Sequence, residues 1–501
     1  MFNYPKTLCT LSRSIREQAI AGVRWTSVSS VASIGFQLGQ LIILARILGP
    51  EAFGLMALVL VVTRILQPLA DAGLHQAVIF HPNLSKDILS TLYWINLFIG
   101  CVLALSVFVG APYLAQLLGD NRLTKLFQLV CPILILGPLA SQIIALFTRD
   151  LKFDRLAIIQ IGSLGAEFTT AVTFACLGWG VYSLIWGYLA RFIVQAILAW
   201  WYAGFSYLPQ WTWGLSQAWP YLRFGLFETG NLLINVFSTQ IDKALVGRIL
   251  GPTILGYYSI AWELIVFPIA RINPIINRVS FPIFAKIKAI PEQLNRYYYR
   301  SVSLLLLINI PALIGLALVA EPFVEVFYGK EWLPAAPLIQ ILAIVGIHKA
   351  FANPGSGLLL AQGRADIGFY WNIGWTLALT MIIALGLYQY PNAQTAAWTQ
   401  LVAAFLLGWI WHFLVARYGN VRYKKLLLFA GRTVVLCLPM ILLLGFTPSW
   451  TEWVVLDLGL RILAGVVLFT LLYGLLYQEE WRFWLESLRQ RNHNTAQNRD
   501  L

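Results

Sequence analysis

Apolar stretches of bilayer-crossing length alternate with short polar connections along almost the whole chain. Fourteen can be drawn, with approximate limits 22–45, 53–73, 88–110, 126–147, 157–177, 180–203, 219–246, 255–277, 302–320, 334–361, 366–388, 395–416, 429–446 and 454–477. A spanning helix needs about 20 residues. The stretches lack the alternating pattern of barrel strands and are about twice as long as such strands. Backbone groups in hydrocarbon need partners within their own segment, so the pattern predicts helices. Residues 1–21 carry Lys6, Arg13, Arg16 and Glu17 and no apolar core before a small-residue cleavage site, so they do not read as a removable leader. Residues 10–21 read as a short interfacial amphipathic helix or as an extension of the first span.

Composition fits that pattern. Of 501 residues, 59% are hydrophobic and only 11% are charged, and the mean hydropathy is +0.72. Soluble domains carry about 25% charged residues. A water-soluble enzyme and a disordered chain are both excluded. The net charge of +13 would suggest nucleic acid in a soluble protein. Here the cations follow the connections instead. With the N-terminus placed inside, 23 Lys and Arg fall on inner segments and only five (Arg46, Arg122, Lys125, Arg248 and Lys330) on outer ones. Cytoplasmic loops are the basic ones. Both termini are therefore expected in the cytoplasm, with an even number of spans: fourteen, or twelve as the alternative. The five cysteines form no C-x-x-C pair and the five histidines are scattered, so no metal site is expected. No Walker A motif or selectivity-filter loop occurs.

The sequence also repeats. Arg46-Ile47-Leu48-Gly49-Pro50 recurs as Arg248-Ile249-Leu250-Gly251-Pro252, and Gly54 recurs as Gly256, all at an offset of 202. Glycine turning the chain and proline blocking continuation explain the motif locally. Its recurrence after an even number of spans indicates parallel repeats. The expected organisation is a six-helix lobe at 1–212, a second at 213–416, two appended helices within 417–477 and a cytoplasmic tail at 478–501. Repeats of this kind suit alternating access.

Ionisable residues inside spans are costly and tend to serve function. The first lobe holds Arg64 and Asp71, seven residues apart on one face, with Glu167 and Arg191. The second holds Glu228, Asp242, Lys243, Glu263, Arg271 and Lys349. Arg191 and Arg278, placed near span ends, read as members of bundle-locking ion pairs or as snorkelling groups. Asp457 and Arg461 mark the last helix, and Arg461 reads as part of an ion pair or as a snorkelling group, because that helix lies outside the repeat. The excess of cations favours an anionic ligand, and arginine binds phosphate in bidentate fashion. Arg64, Lys243, Arg271 and Lys349 are the candidate substrate-binding cations. Asp71, Glu228, Asp242 and Glu263 are the candidates for ion coupling. The many aromatics read as an interfacial belt.

Several runs resemble a known family. They are Gly22-Val23-Arg24-Trp25-Thr26, Leu44-Ala45-Arg46-Ile47-Leu48-Gly49-Pro50-Glu51-Ala52-Phe53-Gly54 and Asp71-Ala72-Gly73-Leu74. In the second half they are Gly225-Leu226-Phe227, Asp242-Lys243-Ala244-Leu245-Val246-Gly247-Arg248 and Leu250-Gly251-Pro252-Thr253-Ile254-Leu255-Gly256-Tyr257-Tyr258. The chain is similar to the polysaccharide transporter family, in its O-antigen, colanic-acid and teichuronic-acid exporter branch, within the multidrug/oligosaccharidyl-lipid/polysaccharide exporter superfamily. The resemblance implies an all-α polytopic membrane protein of twelve to fourteen helices in two six-helix lobes forming a V-shaped central cavity; with the spans drawn above, that is fourteen transmembrane helices, two lobes in a V shape plus two extra C-terminal helices. It implies a non-enzymatic flippase, with no catalytic residues, that moves an undecaprenyl-pyrophosphate-linked oligosaccharide across the bacterial inner membrane. It adds Arg248 to the substrate-binding set, a proton or sodium ion as coupling ion, and no other cofactor. The expected partners are the lipid-linked oligosaccharide and glycan polymerase or export machinery, with no nucleic acid, and the protein is expected to act as a monomer. A multidrug/cation antiporter and a peptidoglycan-precursor flippase remain alternatives. A membrane polymerase or ligase fits less well, because the outer loops near 111–125 and 321–333 are short. The basic tail 478–501 departs from the family pattern.

Overall fold

The computed structural model describes residues 6–81, 84–447, 450, 451 and 453–477, with the side chains of 6–21, 23, 205, 206 and 279 outside the description. The tail 478–501 also lies outside it. Among the described residues there are helices and no strands. The first half contains α1 (Lys6–Asp71), α2 (Leu74–Phe80), α3 (Lys86–Leu118), α4 (Leu123–Val130), α5 (Ile133–Arg149), α6 (Phe153–Cys176), α7 (Val181–Ala203) and α8 (Leu215–Leu250). Then follow α9 (Pro252–Ile287), α10 (Pro291–Leu318), α11 (Ala320–Phe327), α12 (Ala336–Ala361), α13 (Ala365–Gln389) and α14 (Ala393–Gly419). The last are α15 (Lys424–Leu436), α16 (Leu438–Phe446) and α17 (Val454–Leu476). Among the described residues twelve helical stretches are long and apolar enough to cross a membrane, so the chain is a multi-pass membrane protein.

Local chemistry sets the breaks. Gly49 takes φ 69°, ψ 177° and kinks α1, and Pro50 opens the next stretch. The apolar run 126–147 is two helices, α4 and α5, because Cys131 and Pro132 interrupt it. Ser85 caps α3 by accepting the Ile88 amide at 3.3 Å, and Gly119 closes that helix in the left-handed region. Residues 10–21 are helical and continuous with the first long helix. The connection near 321–333 contains the short helix α11.

Helix α3 shows why the environment must be lipid. Phe98, Val102, Leu105 and Val109 stand exposed along one side. Gly100, Ala104, Ala111 and Ala115 are buried on the other. Small residues let helix backbones approach, and the apolar outer side needs hydrocarbon around it.

The described chain divides into two compact units. One lies within Met1–Ser259 and Asn372–Ala396, the other within Ile260–Trp371 and Ala397–Leu501. In the first, α1 packs on α6 and α8, α6 on α7, and α3 on α4 and α5. In the second, α10 packs on α12, α15 and α16, and α11 packs on α17. Phe284, Tyr298, Phe351, Trp411 and Met440 share the second unit's core.

The repeated motif gains a packing role within the first unit. Gly251 has φ 84°, ψ 171°, the conformation of Gly49. A Cβ on Gly54 would overlap the Pro252 carbonyl, and one on Gly256 would overlap the Pro50 carbonyl. Each copy seats its glycine on the proline of the other. Turn chemistry alone does not require Gly54 or Gly256; this reciprocal approach does.

Candidate functional site

The first unit gathers polar side chains inside its spans. After the kink, α1 carries Arg64, Gln67 and Asp71 at spacings of three and four, which place them along one face. Gln67 Nε2 donates to the Tyr188 hydroxyl on α7 at 3.0 Å. One turn further along α7, Arg191 Nη1 lies 3.4 Å from Glu167 Oε2 on α6. Gln40, on α1 before the kink, faces the same carboxyl. The charges of Arg191 and Arg64 both reach the Tyr188 hydroxyl. Arg64 is half-buried, and among the described residues no carboxylate pairs with it.

Arg191 is the eleventh of 23 residues in α7, midway along it. Of the two structural readings of Arg191, the ion pair is the one present; placement near a span end is corrected, since each end of α7 is about 15 Å or more away along the axis. Asp71 serves a different purpose. Ser141 Oγ on α5 donates to it, the His75 amide reaches it at 3.4 Å, and His75 Nδ1 lies 3.2 Å from the Ser141 carbonyl. The carboxylate joins the end of α1 to α2 and α5.

On α8, Asp242 and Lys243 are both buried. Asp242 Oδ2 accepts from the Tyr258 hydroxyl at 2.9 Å, and Oδ1 accepts from the Lys243 amide at 2.8 Å. Glu228 is half-buried, and no hydrogen bond or ion pair engages it among the described residues. Fourteen residues of helix separate it from Asp242 by about 21 Å, so the two carboxyls cannot share one ion. Arg248 is exposed at the helix end and lies over Gly119.

In the second unit, Lys349 Nζ on α12 sits 4.4 Å from the centre of the Trp262 ring, a cation–π contact. Arg271 lies over Phe267 at 5.4 Å. Glu263 and Arg278 are exposed. His412 on α14 is buried against Phe351, Tyr423 and His348, with both ring nitrogens unbonded among the described groups. Asp457 and Arg461 form an ion pair: Nε to Oδ2 at 2.8 Å, with Arg461 also donating to the Leu444 carbonyl.

Sequence reasoning missed Gln67, Tyr188 and His412. It named Glu167 and Arg191 without joining them, since 24 residues separate the two and only helix packing brings them together. No group of three or more metal-ligating side chains occurs among the described residues.

Comparisons with known proteins agree with this architecture. Residues 43–337 match the family described as polysaccharide biosynthesis protein. The lipopolysaccharide biosynthesis protein WzxC of Escherichia coli (strain K12) is 33% identical over 373 residues, covering 74% of this chain and 76% of that protein. The teichuronic acid biosynthesis protein TuaB of Bacillus subtilis (strain 168) is 30% identical over 412 residues, 80% of this chain and 84% of that one. Among solved structures, the lipid II flippase MurJ in an inward closed conformation aligns with a TM-score of 0.74 at 14% identity, over 90% of this chain and 99% of that chain. An inward-facing multidrug resistance MATE family transporter of the MOP superfamily gives 0.64 at 13% identity, over 77% and 95%. At such identities the likeness is one of fold. The match over more than half its length shows that the chain belongs to the polysaccharide biosynthesis protein family.

Proposed function

We propose that the protein is a flippase that moves an undecaprenyl-pyrophosphate-linked oligosaccharide across the bacterial inner membrane by alternating access, without catalysing a reaction. The observation that carries this reading is Arg64, a guanidinium inside a span with no carboxylate partner among the described residues, in a chain of a polysaccharide biosynthesis family. Such a charge is costly in hydrocarbon unless a counter-anion visits it. A pyrophosphate head supplies that anion. Lys243 in the first unit, and Arg271 and Lys349 in the second, carry the same assignment, with Arg248 at the outer end of α8. The four acids Asp71, Glu228, Asp242 and Glu263 keep their assignment to proton or sodium coupling; Glu228 suits it best, because no hydrogen bond or ion pair engages it among the described residues, whereas Asp71 and Asp242 are held in hydrogen bonds between elements.

Fourteen spans are part of the proposal. The kink at Gly49 divides the long apolar helix Arg24–Asp71 into two, and α8 has 36 residues, enough to cross. Both termini are cytoplasmic, the lobes are 1–212 and 213–416, with two appended helices within 417–477, and the protein works as a monomer beside a glycan polymerase.

Reconstitution tests the reading. Proteoliposomes receive labelled lipid-linked oligosaccharide, and its arrival in the opposite leaflet is followed with and without a pH gradient. The protein should accelerate that arrival, and Arg64→Gln should remove the acceleration. If the head group appears no faster than in empty liposomes, the proposal fails. A peptidoglycan precursor in a parallel arm separates that substrate from the oligosaccharide.

A further inference from the structure

We propose that Glu167 fills, in the resting protein, an oxyanion site built by Arg191, Arg64, Tyr188 and Gln67, and that the pyrophosphate diester of the substrate replaces it once Glu167 is protonated. The inference rests on the transport reading above and adds how the substrate head is admitted.

Depth is the first reason. Glu167 is the fifteenth of 24 residues in α6, and Arg191 lies midway along α7. Neither can reach a headgroup layer about 15 Å away along its helix. A charged pair there exists at high cost unless it is used.

The second reason is geometry. The Arg191–Glu167 pair is a single contact at 3.4 Å, at the loose end of hydrogen bonding. A guanidinium has five N–H donors in a fork suited to phosphate. Arg191 retains 38% side-chain exposure while Glu167 keeps only 13%, so the cation is the accessible partner. The Tyr188 hydroxyl accepts from Gln67 and keeps its own proton to give. Arg64 adds a second cation within electrostatic range of that hydroxyl.

The third reason is charge. Arg64, Arg191 and ionised Glu167 leave one positive charge. A pyrophosphate diester brings two negative charges and would leave the site negative. One proton on Glu167 restores neutrality and frees Arg191. Uncompensated charge in a low dielectric is costly, so head group and proton bind together. The groups facing Glu167 are Arg191 from α7 and Gln40 from α1, with Tyr188 and Arg64 next. Helix α5, which also packs on α6, brings only Arg149 at its far end, and α6 itself has Asp154 and Arg155 in its first turn, with Arg155 donating to the Tyr202 carbonyl.

The sign follows. Falling pH favours protonated Glu167 and therefore anion binding. Binding in turn draws a proton from solution. Acid on the releasing side retards release.

The experiment uses the full-length protein in lipid nanodiscs with citronellyl diphosphoryl N-acetylglucosamine, a diester that does not titrate between pH 6 and 8. Calorimetry in buffers of different ionisation enthalpy reads affinity and proton uptake. Wild-type affinity should rise about tenfold or more from pH 8 to pH 6, with proton uptake on binding. Glu167→Gln should bind at pH 8 as tightly as wild type does at pH 6, with no uptake. Arg191→Ala should lose about tenfold or more at both, and Arg191→Lys should regain part. An infrared difference band of a protonated carboxyl on binding to wild type checks the same point without any variant. Probe binding with no pH dependence and no proton uptake overturns the inference and leaves the transport reading standing. If wild type binds no probe at any pH, both fall.

Discussion

A methyl group on Gly54 or Gly256 would meet a backbone carbonyl, which cannot swing aside as a side chain can. Gly54→Ala and Gly256→Ala should each cost about 1–3 kcal/mol, read as an earlier thermal transition of the purified protein. Gly35→Ala is the control: nothing lies within 4 Å of its added Cβ, so it should be neutral or stabilising by about 1 kcal/mol. Equal losses at all three sites would refute the reciprocal seat. Outside the membrane, Arg122 Nη2 meets Asp120 at 2.7 Å and Nη1 meets Glu51 at 2.7 Å. The hydrogen-bonded Arg122 guanidinium holds the Asp120 carboxyl below its usual range. A lowered folded-state pKa gives stability that is present above the unfolded pKa and is lost as pH falls through the folded value. Asp120→Asn should therefore lower stability at pH 7, by about 0.5–1 kcal/mol because the partner is half exposed, and the gap should close in acid. A gap that persists at pH 2 would point to packing rather than charge.

Among elements, α17 offers the sharpest comparison. Its Asp457–Arg461 pair spans one turn and is buried. Asp457→Ala leaves a buried guanidinium and should cost about 3–5 kcal/mol in unfolding measurements. The double change Asp457→Leu with Arg461→Met should cost less than the single one, and glycan export should survive it, since this pair is scaffold. Should the double variant unfold sooner than the single, the pair would be favourable in its own right. Arg461 reads as structural from the sequence, and spacing of four on one helix is what brings Asp457 to it. The Glu167–Arg191 contact was not legible there, because it depends on how α6 meets α7. The run 126–147 likewise hid its break: hydropathy continues through Cys131 and Pro132, and the chain keeps helical dihedrals there, while the regular helix is interrupted at that point. Arg191 shows a different error, since the span limits 180–203 already placed it centrally.

For the molecule as a whole, the decisive element is α8. It carries Arg223, Glu228, Asp242, Lys243 and Arg248 in 36 residues, with Asn231, Asn235, Ser238, Thr239 and Gln240 between them, and this polarity keeps it off the set of helices apolar enough to cross on composition alone. At 1.5 Å per residue it is about 54 Å long, against a hydrocarbon core of about 30 Å. If it lay on the surface, every later connection would change sides. Lys286, Lys288, Arg296, Arg300, Arg422, Lys424 and Lys425 would then face outward, against the distribution of positive charge that membrane insertion enforces. Crossing by α8, together with the division of α1 at Gly49, restores one consistent side for all of them. Cysteine labelling checks this in a variant lacking Cys9, Cys101, Cys131, Cys176 and Cys437. In intact cells a membrane-impermeant maleimide should modify Asn121→Cys and Glu331→Cys. It should reach Lys288→Cys and Arg364→Cys only after permeabilisation. If Asn121→Cys and Lys288→Cys were both labelled in intact cells, α8 would not cross, and the buried Asp242 and Lys243 would lose the lipid depth that gives them meaning.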